Sequence, residues 1–116
     1  MLTVHGIKTC DTCRKALKWL SERSAAHRFH DLRADGLAPA DLDRWIGAVG
    51  WETMLNRRGT TWRKLPAAET ESVDAAKARK LMLAHPTLIK RPVFDDGTRI
   101  VVGFGKAEQA ALTGKG

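Results

Sequence analysis

The sequence predicts an α/β domain, a four-stranded mixed sheet flanked by helices. Three observations lead there: an alternating strand that hands over through a glycine to an amphipathic helix, a second alternating segment that completes a βαβ unit, and two late apolar runs joined by an Asp-Asp-Gly turn. The first unit requires a parallel crossover and the hairpin an antiparallel pair, so the sheet must be mixed. With 116 residues, 43% of them hydrophobic, one domain spanning 1–116 can bury a core without metal or disulfide staples.

Leu2 and Val4 alternate with Thr3 and His5 as a short strand that Gly6 ends. From Cys13, the apolar positions Ala16, Leu17 and Leu20 continue at helical spacing, while Arg14, Lys15, Lys18 and Glu22 face the other way. Cys10 therefore lies just before the first turn of a helix. Arg28 to Asp31 reads as the second strand, followed by a turn at Asp35-Gly36. Pro39 suits a first helical turn, with Leu42, Trp45, Ile46 and Val49 on one face and Gly50 as the stop. Trp51 to Leu65 has no clean period, and Asn56 to Arg63 reads as a short helical turn running into a basic loop. A third helix is expected from an N-cap at Ser72, through Val73, Ala78, Leu81 and Met82, to a stop at His85-Pro86. Ile89 to Phe94 and Arg99 to Val102 form the expected hairpin, and Lys106 to Leu112 a last helix after Gly103-Phe104-Gly105.

A formal charge of +7 attracts anions: oxyanions, carboxylates, acidic surfaces or nucleic acid. The N-terminal residues have neither the basic start nor the apolar run of a secretory signal, and no stretch approaches the roughly 18–20 apolar residues of a membrane span. A cytoplasmic protein without membrane association, and a monomer, is expected. Its four tryptophans are scattered and fall in no stacking motif, so packing is preferred over nucleic-acid binding.

The two cysteines stand three apart in Lys8-Thr9-Cys10-Asp11-Thr12-Cys13-Arg14-Lys15. Two thiols cannot frame a disulfide-rich scaffold, and in a reducing compartment a close pair points to redox chemistry or metal. Zinc needs two further ligands, and His27 and His30, though knuckle-spaced, fall on opposite faces of a predicted strand. Redox chemistry fits better. A helix start aims unpaired N–H groups at Cys10, and Lys8, Arg14 and Lys15 add positive charge, all favouring the reactive thiolate. Cys13, one turn on, is placed to resolve a mixed disulfide at Cys10; the plainer reading makes it a small core residue of the Ala16-Leu17 stripe.

Taken together these segments resemble the arsenate-reductase-like (ArsC/Spx/YffB) family of the thioredoxin superfamily. The resemblance is carried in order by Gly6-Ile7-Lys8-Thr9-Cys10-Asp11-Thr12, Arg14-Lys15-Ala16, Phe29-His30-Asp31, Leu55-Asn56-Arg57-Arg58-Gly59-Thr60-Thr61, Leu88-Ile89-Lys90-Arg91-Pro92-Val93 and Val102-Gly103-Phe104. It is strongest toward the YffB group, and it implies a thioredoxin-like fold with Pro92 as the cis proline opposite the active cysteine. It also implies that Cys10, Cys13 and Arg14 are catalytic, and that Lys8, Arg57, Arg91 and Pro92 form an anion or glutathione site, with Arg58 one register from Arg57. A guanidinium grips an oxyanion or carboxylate with two hydrogen bonds.

Two departures from the arsenate-reductase pattern count against efficient arsenate turnover. Val102-Gly103-Phe104-Gly105 stands where a last arginine is expected, and position 6, four before Cys10, is glycine where a histidine is expected. The preferred function is a thiol-disulfide oxidoreductase, a glutathione-dependent thiol reductase with no bound cofactor. Glutathione or a thioredoxin-type reductant would serve as electron donor, and an oxidised thiol or oxyanion as substrate. The alternatives are an Spx-like redox-sensing regulator acting through RNA polymerase, against which Asn56 to Thr61 weighs, and a true arsenate reductase.

Overall fold

A computed structural model describes residues 2–113. They form two compact units, one built from the chain up to Asp35 and from Arg91 onward, the other from Gly36–Lys90.

The first unit holds the sheet. Its strands are β1 (Leu2–Gly6), β2 (His27–Asp31), β3 (Val93–Asp95) and β4 (Ile100–Val102), in the order β2-β1-β3-β4. β1 pairs in parallel with β2, Val4 opposite Phe29 and Gly6 opposite Asp31, and antiparallel with β3, Val4 opposite Phe94. The β3–β4 hairpin is antiparallel as well, so the expected mixed sheet is the observed one. Two helices belong to this unit, α1 (Asp11–Glu22) and the C-terminal helix Lys106–Leu112. Ala16 and Leu20 of α1 pack on Val4, Phe94 and Val101, while Ala111 and Leu112 join the edge of that cluster. Alternation along β1 thus sends Val4 into the α1 face and His5 to the other, where it meets His30 of β2 at 5.1 Å between ring centroids. Gly97 supplies the positive φ of 95° that closes the hairpin turn, where a side chain would be strained.

The second unit is helical: α2 (Pro39–Val49), α3 (Trp51–Met54), α4 (Thr60–Lys64), α5 (Ala67–Thr70) and α6 (Ala75–Ala84), then a 3₁₀ turn at Pro86–Leu88. The Lys106–Leu112 helix is therefore α7. Leu42 and Trp45 of α2, Met54, Ala78 and Met82 are fully buried. Trp45 is thus a packing residue, as its stripe position predicts.

Three local expectations are corrected. The third helix starts at Asp74, whose carboxylate accepts the Lys77 N–H at 2.9 Å; Ser72 lies outside with φ +53°. A carboxylate two residues nearer the apolar run outcompetes a serine for the same orphan donors. Between Trp51 and Leu65 the helical turn comes first, at Trp51–Met54, and Asn56–Gly59 is the loop that precedes α4. Ile89 is not part of β3: it makes an isolated antiparallel bridge with Leu55, and the strand begins only at Val93, past the cis Arg91–Pro92 bond.

Candidate active site

β1 ends at Gly6, and Ile7, buried at 5% exposure, anchors the loop that follows. Cys10 donates its N–H to the Ile7 carbonyl at 3.0 Å, closing a turn that leaves Lys8 and Thr9 exposed. The Lys8 peptide is held from both sides: its N–H donates to Asp31 Oδ2 at 3.0 Å, and its carbonyl accepts from Arg14 Nε at 3.1 Å. The cysteine loop therefore has little freedom where it enters α1.

Cys10 occupies the N-cap position of α1 with extended backbone, and its carbonyl accepts the Arg14 N–H at 3.0 Å. Its sulfur is half-exposed, whereas Cys13 is buried at 1% exposure. The two thiols are shifted in opposite directions. Partial burial alone would raise the Cys10 pKa, but the neighbouring Cys13 backbone and thiol, together with the Arg91 side chain and its charge, favour the thiolate and lower it. The Cys10 side chain makes no cap hydrogen bond, and its place at a helix start favours the anion. Burial, first, and then the Cys10 charge push Cys13 up to about 11. The surroundings thus favour the thiolate at one sulfur and the thiol at its neighbour.

Of the residues expected at the site, the first unit contains Lys8, Cys10, Cys13, Arg14, Arg91 and Pro92. Arg91 is the cation that bears on Cys10, and the Arg91–Pro92 bond is cis, as the resemblance implies. Lys8 acts on the loop through its backbone. Arg14 commits Nε to the Lys8 carbonyl and sets a terminal nitrogen 3.8 Å from Asp11, an exposed pair of little energetic weight. Arg14 is therefore a residue that positions the loop. Arg57 lies in the second unit, with its guanidinium 5.7 Å from the centre of the Trp51 ring.

Sequence reading missed the part played by Asp31. Its Oδ1 accepts the N–H groups of Arg33 (2.8 Å) and Ala34 (2.9 Å) while Oδ2 takes Lys8, and these hydrogen bonds hold its pKa below the usual carboxylate range, with Ala34 contributing most. The available signal was an aspartate closing a strand two residues before a turn, the Asx pattern. Among the described residues no group of three or more His, Cys, Asp or Glu could hold a metal ion, and no helix is long and apolar enough to cross a membrane.

Neutralising Arg91 tests the electrostatics directly. In Arg91→Met the pH midpoint of Cys10 alkylation should rise, because a charge that lowers it is lost, and the rate at pH 7 should fall, by up to about tenfold for each pKa unit of that rise. Iodoacetamide kinetics from pH 5 to 9 read both.

A model of the ArsC family matches residues 5–112. The solved structure of a YffB protein superposes with a TM-score of 0.90 at 49% identity, covering 96% of this chain and 97% of that one. An arsenate reductase (ArsC) related protein from Brucella melitensis gives 0.77 at 46% identity, over 97% of this chain and 93% of its own. The global transcriptional regulator Spx of Streptococcus agalactiae is 27% identical over 114 residues, 97% of this chain and 82% of the relative.

Proposed function

The chain belongs to the ArsC family, and from that premise we propose that it is a thiol-disulfide oxidoreductase, a thiol reductase that draws on glutathione. The Cys10 thiolate attacks one sulfur of an oxidised thiol substrate, a mixed disulfide forms at Cys10, and the other half leaves as a thiolate. Glutathione or Cys13 then attacks the adduct, and glutathione or a thioredoxin-type dithiol returns the enzyme to its reduced form. Arg91, with Lys8 as a further cation, meets the carboxylates of glutathione or an oxyanion. No resident cofactor takes part. A cytoplasmic setting supplies these reductants.

The observation that carries this reading is the split between the two sulfurs: Cys10 half-exposed with its pKa lowered beside Arg91, Cys13 buried with its own at about 11. Perturbed pKa values of this kind cluster at functional sites. The missing arginine after the hairpin, where Val102-Gly103-Phe104-Gly105 stands, argues against efficient arsenate turnover.

The test is glutathione-dependent reduction of a small mixed disulfide and of arsenate by the parent and Cys13→Ser chains. Disulfide reduction is expected in both, with altered dependence on glutathione concentration in Cys13→Ser, and arsenate turnover should be slight. Absence of disulfide reduction by the parent with glutathione and with a thioredoxin-type donor would sink the enzyme reading. The likeness to the regulator Spx supports a second reading, a redox-sensing regulator that binds RNA polymerase. Retention of the polymerase on the immobilised chain, altered by oxidation and unaccompanied by turnover, would favour it.

A further inference from the structure

At the end of β1 the main chain passes bare beneath the first turn of α1. A Cβ on Gly6 would stand 2.5 Å from Cys13 Sγ, 3.3 Å from Cys13 Cβ and 3.4 Å from Cε1 of Phe29. The first distance is far inside contact, so a side chain here forces a neighbour to shift. Conformation is not the reason, since Gly6 is not among the positive-φ glycines.

Neither backbone yields easily. The Gly6 carbonyl accepts the Leu32 N–H at 2.8 Å, and Gly6 is in register with Asp31 of β2. On the helix side, the Arg14 N–H is bonded to the Cys10 carbonyl at 3.0 Å. What can move is the Cys13 sulfur, which swings on one side-chain torsion between staggered positions. The same sulfur bears on Cys10, each thiol shifting the titration of the other.

We propose that Gly6 is a positioning residue for the second thiol: its bare Cα seats the Cys13 sulfur against Cys10, and a side chain there turns that sulfur away from an adduct on Cys10. The proposal deepens the thiol-reductase reading and rests on Cys10 being the nucleophile. In the step concerned, Cys10 carries a mixed disulfide to a substrate thiol. Cys13 gives up its proton and its thiolate attacks the Cys10 sulfur; the Cys10–substrate bond breaks, and the substrate thiolate leaves and takes a proton. Both cysteines end oxidised as one disulfide, and the substrate sulfur is reduced. That displacement needs three sulfurs nearly in line, and a misplacement of about 1 Å can cost roughly a hundredfold.

The experiment gives each full-length chain one equivalent of 5,5′-dithiobis(2-nitrobenzoate) and follows release of the coloured thiolate. The parent should release a first equivalent on attack by Cys10 and a second as Cys13 displaces the adduct, whereas Cys13→Ser should stop after the first. In Gly6→Ala the first release should stay within about threefold of the parent and the second should slow at least about tenfold. A second release at the parental rate overturns the proposal. A first release in the parent no faster than from a free thiol peptide fails the nucleophile reading instead, so the two failures are distinct.

Thermal unfolding of Gly6→Ala, Cys13→Ala and the double variant provides a readout that survives poor folding of Gly6→Ala. The double variant should lose less than the two single losses combined, because removing the sulfur removes the 2.5 Å clash. Additive losses, or an unfolded Gly6→Ala that Cys13→Ala does not restore, overturn the proposal.

Discussion

Cys10→Ser should abolish disulfide reduction, with a fall of about a thousandfold or more, because a serine hydroxyl at neutral pH has almost no anionic fraction. The neighbouring thiol cannot take over. Cys13 is buried at 1% exposure, which shields it from a bulky disulfide, and that burial, the largest cause of its raised pKa, persists without Cys10. Rapid alkylation should likewise disappear in Cys10→Ser and persist in Cys13→Ser. Mass spectrometry of the alkylated chain assigns the site, and steady-state reduction of a mixed disulfide measures the loss. Undiminished reduction by Cys10→Ser would end the assignment of this sulfur as the nucleophile.

The second large effect is expected at Asp31, a residue that touches no sulfur. In Asp31→Asn the amide oxygen can replace Oδ1 and keep the Arg33 and Ala34 N–H groups, but the amide NH₂ then faces the Lys8 N–H where Oδ2 accepted it. Two donors meet, and the cysteine loop loses the hydrogen bond that holds Lys8. Losing a hydrogen bond to a charged group costs about 1.5–3 kcal/mol. The residue itself is only 4% exposed, but it borders a shallow depression of about 360 Å³ lined also by Lys8, Thr9 and Arg33, where water screens the charge. About 1–2 kcal/mol at pH 7 is therefore expected.

The sign with pH follows from linkage. The folded pKa of Asp31 lies below its ordinary value, so its contribution is present above the unfolded value of about 3.9 and is lost as pH falls through the lower, folded value. The gap between parent and Asp31→Asn in urea denaturation should be steady from pH 7 to about 5 and shrink below about pH 4. Asp43 and Asp96 are also depressed, but they remain in both chains and cancel in the difference. A gap that holds its size at pH 3 and below would show that the carboxylate charge is not what secures the loop. Loosening the loop should also move the Cys10 alkylation midpoint toward that of an ordinary thiol.

Much of this site can be read along the chain because its parts are local. The strand ending at Gly6, the helix carrying Ala16 and Leu20, and the sulfur before the first turn all follow from periodicity within about 20 residues. The hairpin and the last helix follow from turn chemistry at Asp96-Gly97 and the break at Gly103 to Gly105. The start of α6 was misplaced because Ser72 and Asp74 offer the same capping oxygen, and only the packed helix decides between them.

Composition, period and the placing of the two cysteines were enough to predict a mixed α/β sheet and a cysteine at a helix start, since these depend on residues close in sequence. The tertiary structure alone decided which cation bears on Cys10, that Arg14 and Asp31 grip the backbone of Lys8 from both sides, and that Gly6 lies against the Cys13 sulfur. Arg91 lies 81 positions from Cys10 in the chain, and Asp31 lies 23 from Lys8. No local pattern encodes such meetings, because the free energy that sets them comes from burying β1 between β2 and β3, which brings those distant chain segments to the same end of the sheet.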